Sequence, residues 1–401
     1  MKICCLTSGT VGGGVKMMVR LASNLCENHN VTILYPLVKH FTTYHVLRET
    51  NDKVKLQYIK NELLASGFND TLAQFYSSKL LSKYKRNKVA KISSIIKNKN
   101  KKKFFFNADL DNRVHLKNYP MVISESMLKG FDLIIYQSVW QYHELKNVTP
   151  KNIKRIHWSL ADYLFCNGIN FPLSNILEAY NSNDVIIAPS TITALKLENY
   201  GFNVNSIIHG GIDRLFSPNS ELNKGEVKNI LGYFQPAWWV KGAASILQCF
   251  KRIRINYPTI TLTLFGHQQS DIGLYNEVCD NFFTDLSSIE VRDLYRKNDI
   301  FVYPSYCDGF PSTPLEAMAS GCAVVSTKVG AVPEYATHGK NALLSDPMDD
   351  DSLYKNIVDL IEGKVTRNKL IEDGINSAKN WTWAETANQF NQLFDDLSPQ
   401  K

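Results

Sequence analysis

The sequence has no C-x-x-C pair and no long uninterrupted apolar run. Its eight cysteines are scattered along 401 residues, at positions 4, 5, 26, 166, 249, 279, 307 and 322. Such scattering favours buried free thiols over disulfides or a zinc site. No apolar run approaches the roughly 18 residues that span a bilayer, and Ile3–Leu6 is too short for a signal-peptide core. These absences argue against membrane-spanning and secreted classes and predict a cytoplasmic protein.

Acidic residues are absent from residues 79–103, which contain eleven Lys or Arg. Residues 1–210 hold 27 basic and 14 acidic residues, a net charge of +13, whereas residues 211–401 hold 18 and 24, a net charge of −6. This asymmetry indicates two domains with different partners. Apolar residues fall loosely along one face of residues 79–103, so this segment is either a basic amphipathic helix on an anionic membrane or a solvated helix with a lysine-rich loop. Nucleic acid is disfavoured as a partner, because the only aromatic residue among these lysines is Tyr84, which gives no interleaved pattern for base stacking.

Short apolar strands alternate with helix-length segments along most of the chain. The first unit runs from a strand at Lys2–Ser8, through Gly12–Gly14 and a helix ending at Leu25, to a strand at Val31–Tyr35. Further strands are predicted at 132–136, 154–158, 184–188, 206–209, 229–234, 260–265, 299–303 and 323–327. The alternation predicts an α/β protein with two Rossmann-like, doubly wound parallel sheets that face a central cleft.

A cluster of Gly, Pro, Asn and Ser at residues 210–225 predicts a hinge between the two sheets. We therefore expect an N-terminal acceptor-side domain at 1–210 and a C-terminal donor-binding domain at 211–382. A last helix at 383–397 is expected to pack back on the first domain. Ligands of such folds bind at the carboxyl ends of the strands, so the loops there are the candidate binding segments.

Gly12, Gly13 and Gly14 follow the first strand and precede a helix, where backbone N–H groups can bind an anion. A tight turn is the alternative interpretation. The spacing G-x-x-G-G-G is not the dinucleotide fingerprint, and the second strand lacks the terminal acid that would hold a ribose, which argues against NAD. Asp109-Leu110-Asp111 could hold a divalent metal against a diphosphate, although the segment is also typical of a polar turn.

Asp308 and Glu316 are two carboxylates eight positions apart. Thr313-Pro314-Leu315-Glu316 is typical of a capping box, with Thr313 at the N-cap and Glu316 reaching back to a backbone N–H. In that interpretation Asp308 only forms a turn before Gly309. The alternative is that both acids take part in chemistry, and this window by itself leaves the two interpretations open.

Several segments, in the right order and at the right intervals, resemble the retaining group 1 glycosyltransferases of family 4, which have the GT-B fold. Asp308 and Glu316 stand at the family's E-x7-E motif, with Asp in place of the first Glu. The other matching segments are Asp184–Ser190, Ile208–Asp213 with Phe216 and Pro218, Lys241-Gly242, and Gly330–Glu334.

This resemblance implies a nucleotide-sugar donor bound in the cleft, with no cofactor and no metal. It implies that Glu316 accepts hydrogen bonds from the ribose hydroxyls. Asp308, Gly309, Phe310 and Ser312 would then face the donor sugar, with backbone N–H groups available at Phe310 and Ser312 but not at a proline.

The resemblance also assigns the groups around the diphosphate and the sugar. Lys241 is expected to be the main cation, with backbone amides of Gly12–Gly14 opposite. His157 is expected near the donor sugar and His267 near the nucleotide; a histidine satisfied by backbone is the alternative for His157. Residues 232–240 depart from the family, because the Arg that usually precedes the Lys is missing.

The resulting prediction is a hexosyltransferase that moves a sugar to a glycan or lipid-linked acceptor, with retention of configuration. Residues 79–103 would let it associate peripherally with the inner membrane face. The alternative is a catalytically weak, nucleotide-sugar-binding partner subunit of a glycosyltransferase complex. That alternative is motivated by the missing Arg and by the aspartate at position 308.

Overall fold

The computed structural model describes residues 1–7, 13–36, 51–59, 123–160, 172–219, 225–235, 239–266, 277–284 and 286–397. Four segments singled out above lie outside the described residues: Gly12, the Asp109–Asp111 pair, the basic segment 79–103 and His267.

The first sheet contains seven parallel strands in the order β3-β2-β1-β4-β5-β6-β7. They are β1 (Lys2–Leu6), β2 (Asn30–Pro36), β3 (Lys55–Ile59), β4 (Leu133–Tyr136), β5 (Lys154–Trp158), β6 (Val185–Ala188) and β7 (Ser206–Ile207). The described helices of this region are α1 (Gly13–Leu25), α2 (Glu125–Leu128), α3 (Val139–Leu145), α4 (Leu173–Tyr180) and α5 (Thr191–Asn199).

The second sheet contains six parallel strands in the order β10-β9-β8-β11-β12-β13. They are β8 (Asn229–Phe234), β9 (Thr261–Gly266), β10 (Asn281–Thr284), β11 (Ile300–Tyr303), β12 (Ala323–Thr327) and β13 (Leu343–Ser345). A 3-10 turn at Trp239–Lys241 precedes α6 (Ala243–Asn256), and the later helices are α7 (Ser288–Lys297), α8 (Ser312–Ala319), α9 (Val332–Tyr335), α10 (Asp350–Ile361), α11 (Arg367–Ala378) and α12 (Trp383–Leu397). None of the described helices combines the length and the apolarity needed to cross a membrane.

The predicted pair of doubly wound parallel sheets is confirmed. The central strands are short apolar runs, such as Leu133–Tyr136 and Ile300–Tyr303, in which all four residues are buried. Strands of parallel sheets are covered by helices on both faces, which explains why their residues are continuously apolar instead of alternating. Three strands escaped the sequence prediction, namely β3, β10 and β13, and each lies at the edge of its sheet.

The chain passes between the two sheets twice, and the two crossings lie side by side. The Ile212 N–H donates to the Trp381 carbonyl at 3.0 Å, and Ile212 forms a parallel bridge with Thr382. Gly211 has no room for a side chain, since a Cβ there would lie 2.4 Å from the Trp383 nitrogen. The second crossing leads into α12, which packs against α1.

Helix α12 contacts the first domain along its length. The Phe390 ring meets the Trp158 ring edge-on at 5.1 Å, and Asn391 Oδ1 lies 2.8 Å from His29 Nε2. Its buried positions include Thr386, Phe390 and Phe394, at the spacing of one helical face. The end of the chain thus covers the core of the domain in which the chain begins.

Candidate active site

The candidate site lies where each sheet reverses its strand order. The reversal falls between β1 and β4 in the first sheet and between β8 and β11 in the second. At such a point the loops leaving two neighbouring strands diverge, and a crevice opens at their carboxyl ends. Lys241 follows β8 and Asp308 follows β11, so the two residues stand on either side of the second reversal.

Lys241 and Asp308 form an ion pair across this crevice. Lys241 Nζ donates to Asp308 Oδ2 at 2.6 Å, and each side chain keeps 17% of its exposure. The next residue, Gly242, has a positive φ of 70°. A Cβ there would lie 1.9 Å from the Pro304 carbonyl oxygen. Glycine is therefore required for the Lys241 loop to pack against the end of β11.

Besides Lys241, two further groups donate hydrogen bonds to Asp308. The Tyr303 hydroxyl donates to Oδ2, and the Gly309 N–H donates to Oδ1 at 2.8 Å. Complete burial, and then the neighbouring Asp308, raise the pKa of Tyr303 well above its usual value, so its hydroxyl stays protonated and donates. The carboxylate therefore has a fixed orientation, with Lys241 on its open side.

The predicted capping box at Thr313–Glu316 is wrong. Helix α8 begins at Ser312, after Pro311, and no side chain caps its first N–H groups. Thr313 is therefore already helical, and Glu316 does not reach back to it. Instead, Glu316 is 3% exposed, and its Oε1 accepts a hydrogen bond from Lys16 Nζ of the first domain at 2.7 Å.

Lys16 lies in the first turns of α1, the first described helix after β1. Its Nζ lies 4.9 Å from the centre of the Phe216 ring, at the hinge. The Lys16–Glu316 pair joins the two domains, since its partners are 300 residues apart in the chain. Because the pair is partly buried, solvent screens its Coulomb attraction less than that of a surface ion pair of the same length.

Gly309 and Phe310 bring the second domain directly against the first. A Cβ at Gly309 would lie 2.3 Å from the Leu160 carbonyl oxygen. Phe310 is buried, and its ring lies so close to Gly210 that a Cβ at that position would meet it at 2.7 Å. Ser312 follows as the first residue of α8, with partial exposure.

Gly13 and Gly14 open α1 at the reversal point of the first sheet. A Cβ at Gly14 would lie 3.2 Å from Gln137 Oε1, at the end of β4. The absence of a side chain thus permits the close approach of α1 to the loop that follows β4. The structure places these glycines and Lys16 on one side of the cleft, and Lys241, Asp308 and Glu316 on the other.

His157 does not lie in the cleft, which corrects its predicted place near the donor sugar. Its side chain is completely buried, between the rings of Tyr136 at 4.7 Å and Tyr180 at 5.3 Å. The neighbouring residue Trp158 points to the opposite face of the sheet, toward α12. Burial lowers the pKa of His157 to about 3, so the ring stays neutral and inside the first domain.

Sequence reasoning gave no role to the partners of Glu334. This carboxylate accepts the Thr191 N–H, at the start of α5, through Oε1 at 2.7 Å, and its Oε2 meets His209 Nε2. Glu334 thus bridges the second domain to a helix of the first and to the hinge. The motif Gly330–Glu334 marked the residue, but only the fold shows what it contacts.

Lys16 and Tyr303 were also missed. Lys16 stands in a segment with no motif beyond the glycines, and Tyr303 ends an ordinary apolar strand. Only the proximity of Lys16 to glycines on a helix start could have suggested it, because anions bind at such ends.

Comparisons with known proteins agree with this architecture. A family model described as "Glycosyl transferases group 1" matches residues 219–377. The D-inositol 3-phosphate glycosyltransferase of Corynebacterium glutamicum is 28% identical over 139 residues, which are 35% of this chain and 33% of the relative. The alignment thus spans about a third of that relative's length.

Similarity to solved structures extends over nearly the whole chain. Sucrose-phosphate synthase from Thermosynechococcus elongatus superposes with a TM-score of 0.69 at 16% identity, covering 99% of this chain and 98% of the other. The Anabaena protein HepE, in complex with UDP-glucose, gives a TM-score of 0.67 at 15% identity, covering 99% and 100%. At these identities the likeness establishes the fold. The chain therefore has the two-sheet GT-B fold, and its residues 219–377 match the model of the glycosyl transferases group 1 family.

Proposed function

We propose that the protein is a nucleotide-sugar-dependent hexosyltransferase that retains anomeric configuration. The single observation that supports this most strongly is the placement of Lys241, Asp308 and Glu316 at the reversal point of the family-matched domain, facing Lys16 of the first domain. A nucleotide-sugar donor bound there would contact both domains. This is required of a cleft in which both walls bind the same substrate.

The difficult step is departure of the nucleoside diphosphate. As the bond from the anomeric carbon to the phosphate oxygen breaks, negative charge accumulates on that oxygen. Lys241, with the N–H groups of Phe310, Ser312 and Gly14, supplies positive charge and donors that are already oriented. Glu316 accepts hydrogen bonds from the ribose hydroxyls, and Asp308 accepts them from the sugar.

Retention of configuration follows if the acceptor attacks from the face that the diphosphate leaves. In this step the acceptor oxygen bonds to the anomeric carbon, and the acceptor's hydroxyl proton passes to the departing phosphate oxygen. No protein carboxylate is then needed as a nucleophile. Asp308 fits a mechanism without a carboxylate nucleophile, because its oxygens already accept hydrogen bonds from Tyr303, Gly309 and Lys241.

We further propose that the reaction needs no metal and that the acceptor is a glycan or a lipid-linked saccharide. Lys241 and the backbone donors would do the work that a divalent cation does in other diphosphate sites. UDP-sugars are the first donors to test, because HepE was solved with UDP-glucose.

The test incubates the protein with UDP-, GDP- and dTDP-sugars and measures release of the nucleotide, with and without EDTA. The proposal expects release from at least one donor, undiminished by the chelator, and a product with the donor's anomeric configuration. Loss of activity in EDTA would contradict the metal-independent part alone.

A second candidate, a partner subunit that binds the donor without turnover, is favoured by the departures in the donor site. No Arg precedes Lys241 among residues 232–240, and Asp308 replaces the longer glutamate. Tight binding of a nucleoside diphosphate without release from any donor or acceptor combination would support this candidate over the enzyme.

A further inference from the structure

The four charged side chains of the cleft form two ion pairs, and in each pair the two charges cancel. Lys241 pairs with Asp308 at 2.6 Å, and Lys16 pairs with Glu316 at 2.7 Å. Both lysines keep some exposure, 17% and 23%, whereas Glu316 keeps 3%. The net charge of the four groups is zero, so the cleft holds two positive charges that are each compensated by a carboxylate.

A donor brings groups that compete for each member of these pairs. Its ribose and sugar hydroxyls donate to carboxylates, and its diphosphate accepts from ammonium groups. If hydroxyls bind Glu316 and Asp308, the two lysines lose their partners in the same event. A diphosphate diester carries two negative charges, which two lysines match and one does not.

Lys16 stands in a place that suits an anion. It is the fourth residue of α1, near the positive end of the helix dipole, where a cation is unfavourable unless a negative group lies beside it. Glu316 supplies that group from the other domain. One turn further along, Arg20 Nε donates to Asp213 Oδ2 at 2.9 Å, so the neighbouring cation of α1 is engaged at the hinge.

Tyr233 lies close enough to Lys241, Asp308 and Glu316 to interact with all three. Its hydroxyl is buried, which raises its pKa, and Lys241 lowers that pKa whereas Asp308 and Glu316 raise it. One ring thus interacts with both members of the Lys241–Asp308 pair and with Glu316 of the other pair. Tyr233 is the last residue but one of β8 and lies within residues 232–240, the segment in which the family's Arg is missing.

We propose that Lys16 is the second cation that binds the diphosphate in this site. When the ribose hydroxyls bind Glu316, Lys16 leaves that carboxylate and binds the phosphates instead. This inference rests on the proposed function. It assigns the second positive charge to Lys16 of the first domain, whereas the family that this chain resembles usually has an Arg before the Lys in the second domain.

The test compares Lys16→Met and Lys16→Arg with the parent by calorimetric titration of UDP, GDP and dTDP and of the three matching nucleosides. Lys16→Met is expected to weaken binding of the accepted diphosphate by about tenfold or more, because a charge-assisted contact is lost. Nucleoside binding should change less than threefold, and Lys16→Arg should keep most of the diphosphate affinity. Lys146→Met is the matched control, since it breaks a lysine–glutamate pair of 2.6 Å at a surface site.

Glu316→Gln provides an independent arm should Lys16→Met fold poorly. Removing the carboxylate frees Lys16, so binding of inorganic pyrophosphate should tighten while nucleoside binding weakens. Unchanged diphosphate affinity in Lys16→Met, an equal loss for nucleoside and diphosphate, or weaker pyrophosphate binding in Glu316→Gln would each overturn the inference. Failure of the parent to bind any nucleoside diphosphate would instead refute the proposed function on which it rests.

Discussion

At the scale of single residues, the cleft shows how a short side chain can be held in place by its neighbours. Asp308 is one methylene shorter than the glutamate of the family motif, yet three donors fix both of its oxygens. Burial keeps Tyr303 protonated, and Gly309 offers its N–H because it lies at the turn. The substitution therefore leaves a carboxylate that orients Lys241.

Lys241→Met should lower kcat/KM for the accepted donor by about 10²–10³-fold, because the developing phosphate charge loses its main cation. Lys241→Arg should lose less, since the charge is kept. The measurement is steady-state nucleotide release with the parent's best donor. Activity within twofold of the parent, in a variant with an unchanged melting temperature, would contradict the assigned role.

His157 predicts a pH dependence of stability. Its pKa in the folded state is about 3, against 6.5 when unfolded, so below pH 6.5 the unfolded chain binds a proton that the folded chain does not. The contribution of His157 to the free energy of unfolding should therefore fall as the pH drops through 6.5 toward 3, by about 2 kcal/mol between pH 7.5 and 5. At higher pH this contribution is fully present.

His157→Phe should remove this contribution, because Phe cannot be protonated and fits the same stacked position. Lowering the pH from 7.5 to 5 should therefore change the stability of the variant relative to the parent by about 2 kcal/mol in favour of the variant. The measurement is urea unfolding of both proteins at pH 7.5 and pH 5. Burial raises the pKa of Glu144 to about 8, which acts in the opposite sense between pH 4.5 and 8. That contribution is common to both proteins and cancels in the comparison, and equal slopes would mean that His157 is not buried as a neutral ring.

At the scale of elements, glycines decide how closely loops of the two domains approach. Gly309 lies against the Leu160 carbonyl, and Gly242 lies against the Pro304 carbonyl. In both places a methyl group would meet backbone, which cannot move aside as a flexible side chain can. The positions of Asp308 and Lys241 therefore depend on the absence of a Cβ atom at Gly309 and Gly242.

Gly309→Ala should reduce kcat/KM by at least tenfold, because the Asp308 loop must withdraw from the first domain to accommodate the methyl group. The fold of each domain should survive, with a loss of melting temperature of only a few degrees. Gly374→Ala is the matched control. A Cβ there meets its nearest atoms at 3.4 Å inside α11, where alanine is the better helix former. Full activity in Gly309→Ala would show that the contact with Leu160 is not needed.

At the scale of the whole molecule, polar contacts between described residues help to join the two domains. Lys16 binds Glu316, Glu334 binds the start of α5, and Arg20 binds Asp213 next to the crossing of the chain. Helix α12 adds an apolar contact, because it follows the second domain and covers the first. Opening of the cleft would have to break these contacts together, and closing would have to keep them together.

The basic segment 79–103 predicts that the first domain binds an anionic membrane. Vesicles with anionic lipid should bind the protein more tightly than neutral vesicles, with roughly 1 kcal/mol from each lysine near the surface. Replacing lysines 97, 99, 101, 102 and 103 by glutamine should remove most of that preference. Co-sedimentation measures it, and equal binding to both vesicle types would contradict the membrane interpretation of residues 79–103.

The central strands and the general order of the fold were predictable, because buried parallel strands are continuous apolar runs. The edge strands β3, β10 and β13 were not, since they are short or polar and are defined by pairing with a neighbour. The motif drew attention to Asp308 and Glu316, but the local pattern around Thr313 gave the wrong helix start. A capping preference worth about 1 kcal/mol yields to tertiary packing.

By itself, the sequence determined the two sheets, their alternation with helices and the segments that resemble a family, because these depend on local composition and on motifs within a few residues. Only the tertiary structure decided that Glu316 meets Lys16, that Asp308 holds Lys241, and that His157 is buried in the first domain instead of facing the cleft. Each of these outcomes joins residues far apart in the chain or depends on which face of a strand a side chain takes. Distance in sequence carries no information on such contacts until the sheets are assembled.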